Sequence, residues 1–134
     1  CMSKSKKNVF RGLHLQKNKM QEKFVTVIKG KILDIVVDLR HNSKTFGKHF
    51  KIILSDKNAK SILIPAGFAH GFMGLEIENI ILYSNNKYRS KKDEMGLLWS
   101  DKNLKINLPK KKLIISKKDK ANMELAEFLK KLKK

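Results

Sequence analysis

The sequence predicts an all-β chain, a barrel or jelly roll finished by one C-terminal α-helix. Short apolar or alternating stretches recur about every eight to twelve residues, with turn residues between them. Only the last stretch changes to a helical period. Residues 1–8 are polar, a short edge strand or a tail. Val9 to Gln16 alternates as a strand does, and Lys17 to Gln21 is a loop. Phe24 to Ile28 and Ile32 to Leu39 flank Lys29-Gly30-Lys31, which reads as a hairpin bend. Residues 41–48 form a loop around Gly47. Phe50 to Leu54 and Ser61 to Ile64 are strands, the second stopped by Pro65-Ala66-Gly67. His70 to Leu75 and Asn79 to Tyr83 follow as short strands. Residues 84–96 read as a polar loop, Gly96 to Ser100 as a strand or turn, and Leu113 to Ile115 as a last extended piece. From Ala121 to Leu132, apolar Met123, Leu125, Ala126, Phe128, Leu129 and Leu132 take helical spacing, with Asp119 in the N-cap region.

At 134 residues the chain is expected to form one domain, residues 1–134. No apolar run approaches the roughly 20 residues that span a bilayer. A basic, polar start is not a secretory signal, and Cys1 alone cannot make an internal disulfide. The expected location is the cytoplasm, with no membrane partner. The net charge of +19 suggests nucleic acid, but only Arg11, Arg40 and Arg89 among 31 basic side chains are arginines. Lysines spread over loops and two runs, Lys110 to Lys112 and Lys130 to Lys134, without interleaved aromatics. A solvated lysine surface, not a nucleic-acid interface, is the expected reading. No glycine-rich phosphate loop is present.

Two histidines carry most of the chemical information. His14 lies in Val9-Phe10-Arg11-Gly12-Leu13-His14-Leu15-Gln16, and His70 in Ile64-Pro65-Ala66-Gly67-Phe68-Ala69-His70-Gly71-Phe72. Each sits on an extended stretch, so a curled sheet can turn both imidazoles into one interior. Either alone reads as a structural residue. Together with Lys23, Tyr83 and Asp119 they make a set suited to removing a proton beside a carbonyl. His14 supplies a base, Asp119 a carboxylate to orient it, and Tyr83 a phenolic acid. Lys23 or His70 offers a cation or hydrogen bond to the enolate oxygen. Base and acid on opposite faces would invert a stereocentre. Tyr88 is either a half-buried loop aromatic or a platform for a base ring, worth roughly 1–3 kcal/mol if stacked. Trp99 is assigned to the core. Arg11 and His14 point to opposite faces of a regular strand, so a bulge near Gly12 is needed to bring them together.

Arg11-Gly12-Leu13-His14, Gly30 to Arg40, Ser43 to Gly47 and Pro65-x-Gly67-Phe68-Ala69-His70-Gly71-Phe72 closely resemble dTDP-4-dehydrorhamnose 3,5-epimerases. Leu98-Trp99-Ser100-Asp101 and Ile115-Ser116-Lys117-Lys118-Asp119 do so too. The resemblance implies a cupin-type jelly roll, a homodimer, and no metal or organic cofactor. It implies epimerisation of a dTDP-4-keto-6-deoxyglucose nucleotide sugar at C3 and C5. It makes His14 the base, Asp119 its dyad partner and Tyr83 the acid. Lys23 and His70 fall around the keto oxygen and sugar, Arg11 and Lys118 near the diphosphate, and Tyr88 on the thymine. Against the family pattern the chain is expected to be N-terminally short, without a segment that helps form the dimer and contact substrate. Cys1-Met2 replaces an asparagine-containing stretch, Ser84 stands where lysine is common, and the Lys17–Gln21 loop is slightly short. Rival readings are an epimerase acting on one carbon or another nucleotide sugar, a ketoisomerase, a non-catalytic sugar-binding cupin and a metal-dependent cupin. The last is weakened because His14-Leu15-Gln16 stands where such proteins carry His-x-His.

Overall fold

Residues 1–109 and 112–133 are described by a computed structural model; Lys110, Lys111 and Lys134, members of the two lysine runs, lie outside the described residues. The alternating stretches form β1 (Met2–Lys6), β2 (Val9–Gln16), β3 (Lys23–Lys29), β4 (Lys31–Asp38), β5 (His49–Ser55), β6 (Ser61–Ile64), β7 (Phe68–Gly74) and β8 (Glu78–Asn85). After them come β9 (Glu94–Gly96), β10 (Ile114–Ile115), α1 (Lys117–Lys120) and α2 (Leu125–Lys133). One sheet has the order β1-β8-β3-β6, and the other β10-β2-β7-β4-β5 with β9 also on β2. The predicted all-β class with a C-terminal helix is the observed one. No helix among the described residues is long and apolar enough to cross a membrane.

The two sheets differ in how they are covered, and their sequences show it. In β3, buried Val25 and Val27 alternate with exposed Phe24 and Ile28, as on a sheet with one wet face. In β7, Ala69 through Gly74 are all buried. Its inner face meets the first sheet through Phe72, Val25, Ile64 and Ile81. Its outer face is covered by the C-terminal segment, where Leu97, Leu104, Ile106, Leu108 and Phe128 pack on Leu13, Ile35, Val37 and Met73. Fully burying one such side chain stabilises the fold by about 1.5–3 kcal/mol. Phe128, fully buried, anchors α2 to the sheet.

Three expectations need correction. Gly30 does not close a hairpin: β3 pairs with β6 and β8, while β4 pairs with β5 and β7. At φ +90° Gly30 passes the chain from one sheet to the other, and Glu78 and Asn79 leave no room for a β-carbon there. Residues 84–96 are not all loop. β8 runs to Asn85, and β9 pairs with His14 to Gln16 of β2. The C-terminal helix starts at Leu125, not Ala121. Met123 is engaged beforehand, donating to the Gly96 carbonyl and accepting from Leu98, and the Asp101 carboxylate accepts the Leu125 N–H at 2.6 Å. Asp119 belongs to the separate short helix α1, whose N-cap is Ser116.

Candidate active site

The anticipated irregularity occurs in β2. Arg11 pairs with Phe72 and His14 with His70, with a register shift between them. Gly12 sits there at φ +121°, so close to β7 that a β-carbon would lie 2.7 Å from the Gly71 Cα and the His70 carbonyl. Arg11 and His14 thus both line a cavity of about 340 Å³ between the sheets. Lys23 of β3, His70 of β7 and Tyr83 of β8 line it too. One sheet therefore brings the imidazoles and the other brings the amine and the phenol.

Asp119 stands behind His14. His14 Nε2 lies 2.7 Å from Asp119 Oδ1, and the Gly12 N–H donates to Oδ2 at 3.1 Å. The carboxylate only accepts, so Nε2 carries a proton, and in the neutral ring Nδ1 is the nitrogen with the lone pair. His70 Nε2 makes the same 2.7 Å contact with Asp34 Oδ1, in a pair sealed from solvent. Asp34 Oδ2 is buried without a hydrogen-bond partner. Asp34 was not anticipated, although an acid inside the apolar run Ile32 to Val37 must find a partner.

Electrostatics sharpen the set. Burial pushes the Tyr83 phenol above its usual range, with Ser3 and Arg11 opposing, so it stays protonated at neutral pH. Burial also lowers the Lys23 ammonium, against the pull of Glu94 and Asp34. Glu94 is a second unanticipated acid and, unlike Asp34, lines the cavity, with Arg89, Gln21 and Asn85. Its burial would raise the carboxyl, but His14, Lys118 and Arg89 outweigh that and hold it low. Glu94 opens a strand of three residues, too short for its alternation to be read in sequence.

Besides Asp119, which stands behind His14, two anticipated residues do not reach the cavity lining. Tyr88 is 96% exposed, not half-buried, while its carbonyl accepts from Gln16 at 3.2 Å. Lys118 is 70% exposed and rests its ammonium 3.2 Å from Glu94. Trp99 packs against the core with its ring 5.9 Å from Phe10. Among the described residues no three His, Cys, Asp or Glu side chains converge as a metal site. Both cavity histidines point one nitrogen at a carboxylate.

The family model of dTDP-4-dehydrorhamnose 3,5-epimerase matches residues 1–127. The chain belongs to this family. It is 44% identical over 118 residues to the dTDP-4-dehydrorhamnose 3,5-epimerase of Shigella flexneri, an alignment covering 87% of this chain and 65% of the relative. The chain thus spans about two-thirds of that relative's length. Among solved structures, the family enzyme of Elizabethkingia anophelis superposes with TM-score 0.92 at 38% identity, covering 95% of this chain and 71% of that one. The Legionella pneumophila dTDP-6-deoxy-D-glucose-3,5-epimerase, solved in complex with dTDP-4-keto-L-rhamnose, also gives 0.92, at 36% identity over 98% of this chain and 71% of that one. The fold is accordingly the cupin-type jelly roll of the dTDP-4-dehydrorhamnose 3,5-epimerase family.

Proposed function

We propose that the chain is a cofactor-independent epimerase converting dTDP-4-dehydro-6-deoxy-D-glucose to dTDP-4-dehydro-L-rhamnose through enolates at C3 and C5. The observation that carries this is a carboxylate-backed imidazole on one sheet sharing a cavity with a protonated phenol on the other. His14 Nδ1 takes the proton from the carbon beside the C4 ketone, and the electron pair moves onto the ketone oxygen. Asp119 stabilises the imidazolium that forms. Lys23 donates to the enolate oxygen, and His70, whose Nε2–H is held by Asp34, joins it only as the imidazolium, through Nδ1–H. Tyr83 returns a proton to carbon from the opposite face, and the ketone re-forms with inverted configuration.

The diphosphate is assigned chiefly to Arg11 and Arg89 of the lining, with Lys118, held by Glu94, a minor contributor. Tyr88, exposed beside Arg89, is assigned to the thymine face. The enzyme is read as a cytoplasmic homodimer. In support of the dimer, Met2, Leu82, Phe24 and Leu63 lie side by side on the outer face of the first sheet, all exposed.

The test is solvent deuterium incorporation at C3 and C5 of the keto sugar, with product formation. The expected result is exchange at both carbons and its loss in His14→Ala. No exchange with the unaltered chain, or full activity in His14→Ala, overturns the proposal. Ligand-induced thermal stabilisation without exchange would mark a binding protein instead.

A further inference from the structure

Asn122 lies just past α1 and has no part in the chemistry above. Its half-buried amide Nδ2 donates to the Gly12 carbonyl at 3.2 Å and to Asp119 Oδ1 at 3.4 Å. Both partners only accept, which fixes the amide with its nitrogen toward them and uses both its protons. Gly12 completes a ring, because its N–H holds Asp119 Oδ2. The carboxylate is gripped at both oxygens by a peptide and an amide that also grip each other. Gly96 leaves space for this: a β-carbon there would overlap the Asn122 side chain. The next residue is pinned as well, Met123 donating to Gly96 at 3.1 Å and accepting from Leu98 at 2.7 Å.

We infer that Asn122 is a positioning residue for the His14–Asp119 dyad, fixing the carboxylate in the rotation that presents Oδ1 to His14. This rests on the reading of His14 as the base. Its rival is plain packing, and an isosteric change separates the two. Asn122→Asp keeps the shape but faces Asp119 with an oxygen that cannot donate when ionised, and with a like charge.

The experiment measures kcat, KM and thermal melting of the full chain at pH 8, for wild type, Asn122→Ala, Asn122→Asp and Gly96→Ala. Asn122→Ala is expected to lower kcat about tenfold with KM within about twofold. Asn122→Asp is expected to lower kcat further despite its preserved shape. Gly96→Ala, which displaces the amide without altering it, is expected to match Asn122→Ala. Wild-type kcat in Asn122→Asp, or losses confined to KM or melting temperature, overturn the inference. The His14 ring-proton resonance is recorded alongside, independent of turnover, and is expected to shift in both Asn122 variants. An unshifted resonance overturns the inference even if the unaltered chain proves inactive, an outcome that by itself would sink only the enzymatic reading.

Discussion

Two histidine–carboxylate pairs reach one cavity with the same 2.7 Å contact, yet they are built on opposite plans. His14 and Asp119 come from segments 105 residues apart, and His14 keeps 28% of its side chain exposed. Asp119 has donors on both oxygens, from His14, Gly12 and Asn122. His70 and Asp34 come from adjacent strands and are almost wholly buried, and Asp34 keeps one oxygen without a donor. A group that takes and releases a proton needs an open face and a fixed partner. A group that steadies charge can be sealed in. What surrounds each pair, more than the pair itself, supports the roles proposed for them.

The largest expected effects break the first pair. His14→Asn removes the proposed base, and kcat is expected to fall about a thousandfold with little change in KM. Asp119→Asn is expected to fall nearly as far, because an amide no longer selects the tautomer with the proton on Nε2. His70→Asn, which spares the base, is expected to cost about tenfold to a hundredfold. Steady-state kinetics of the three variants test the order. A larger loss in His70→Asn would reverse the assignment of roles.

Tyr83→Phe probes the opposite sheet. Base and acid act in sequence, so this variant is expected to wash deuterium into substrate while net inversion falls about a hundredfold. The pH profile has a sign to check. Burial raises the phenol's pKa, so it keeps its proton through neutral pH and loses it only above the usual value of about 10. The alkaline limb assigned to Tyr83 is expected to lie above that value and to vanish in Tyr83→Phe.

Much of the cavity, though not the Asp34 that seals the second pair, was legible in the sequence. His14, His70, Lys23, Tyr83 and Arg11 do share one cavity, because alternation along strands fixes facing and the glycine at 12 marks the break that redirects Arg11. Strand existence was equally plain where apolar residues alternate, as in β3. What escaped depends on long-range pairing. Gly30 looks like a hairpin because local sequence does not say to which sheet the next strand goes. β9 and its Glu94 escape because three residues carry no period, and the strand exists only through its pairing with β2. The late start of α2 escapes because the cap comes from Asp101, 24 residues away.

Stability separates the buried carboxylates next. Asp34→Ala leaves His70 sealed in without its partner, and a loss of about 3 kcal/mol is expected on chemical unfolding. Asp38 is the structural control, buried at the end of β4 and outside the cavity lining. It accepts from Arg40, Ser43 and Thr45, and although burial opposes it these bonds hold its carboxyl far below the ordinary range. A depressed folded-state pKa stabilises above the unfolded value, about 4, and that stabilisation is lost as pH falls further. Asp38→Asn is expected to lower the melting temperature at pH 7, to flatten its dependence on acid, and to leave kcat unchanged.

The smallest expected effect is at Lys118, next in the chain to Asp119 and yet outside the cavity lining. Its ammonium is mostly exposed and meets Glu94 at 3.2 Å, while Arg89 holds the other oxygen of the same carboxylate at 3.1 Å. An ion pair with so exposed a lysine contributes little, and a second cation remains when it is lost. Lys118→Ala is therefore expected to leave kcat unchanged and to raise KM by less than about threefold, with weak salt dependence. If KM instead rises about tenfold and the rise disappears at high salt, Lys118 must leave Glu94 to meet the diphosphate in the complex. The helix that carries Asp119 would then also hold the substrate, and the open plan of the first pair would have a second purpose.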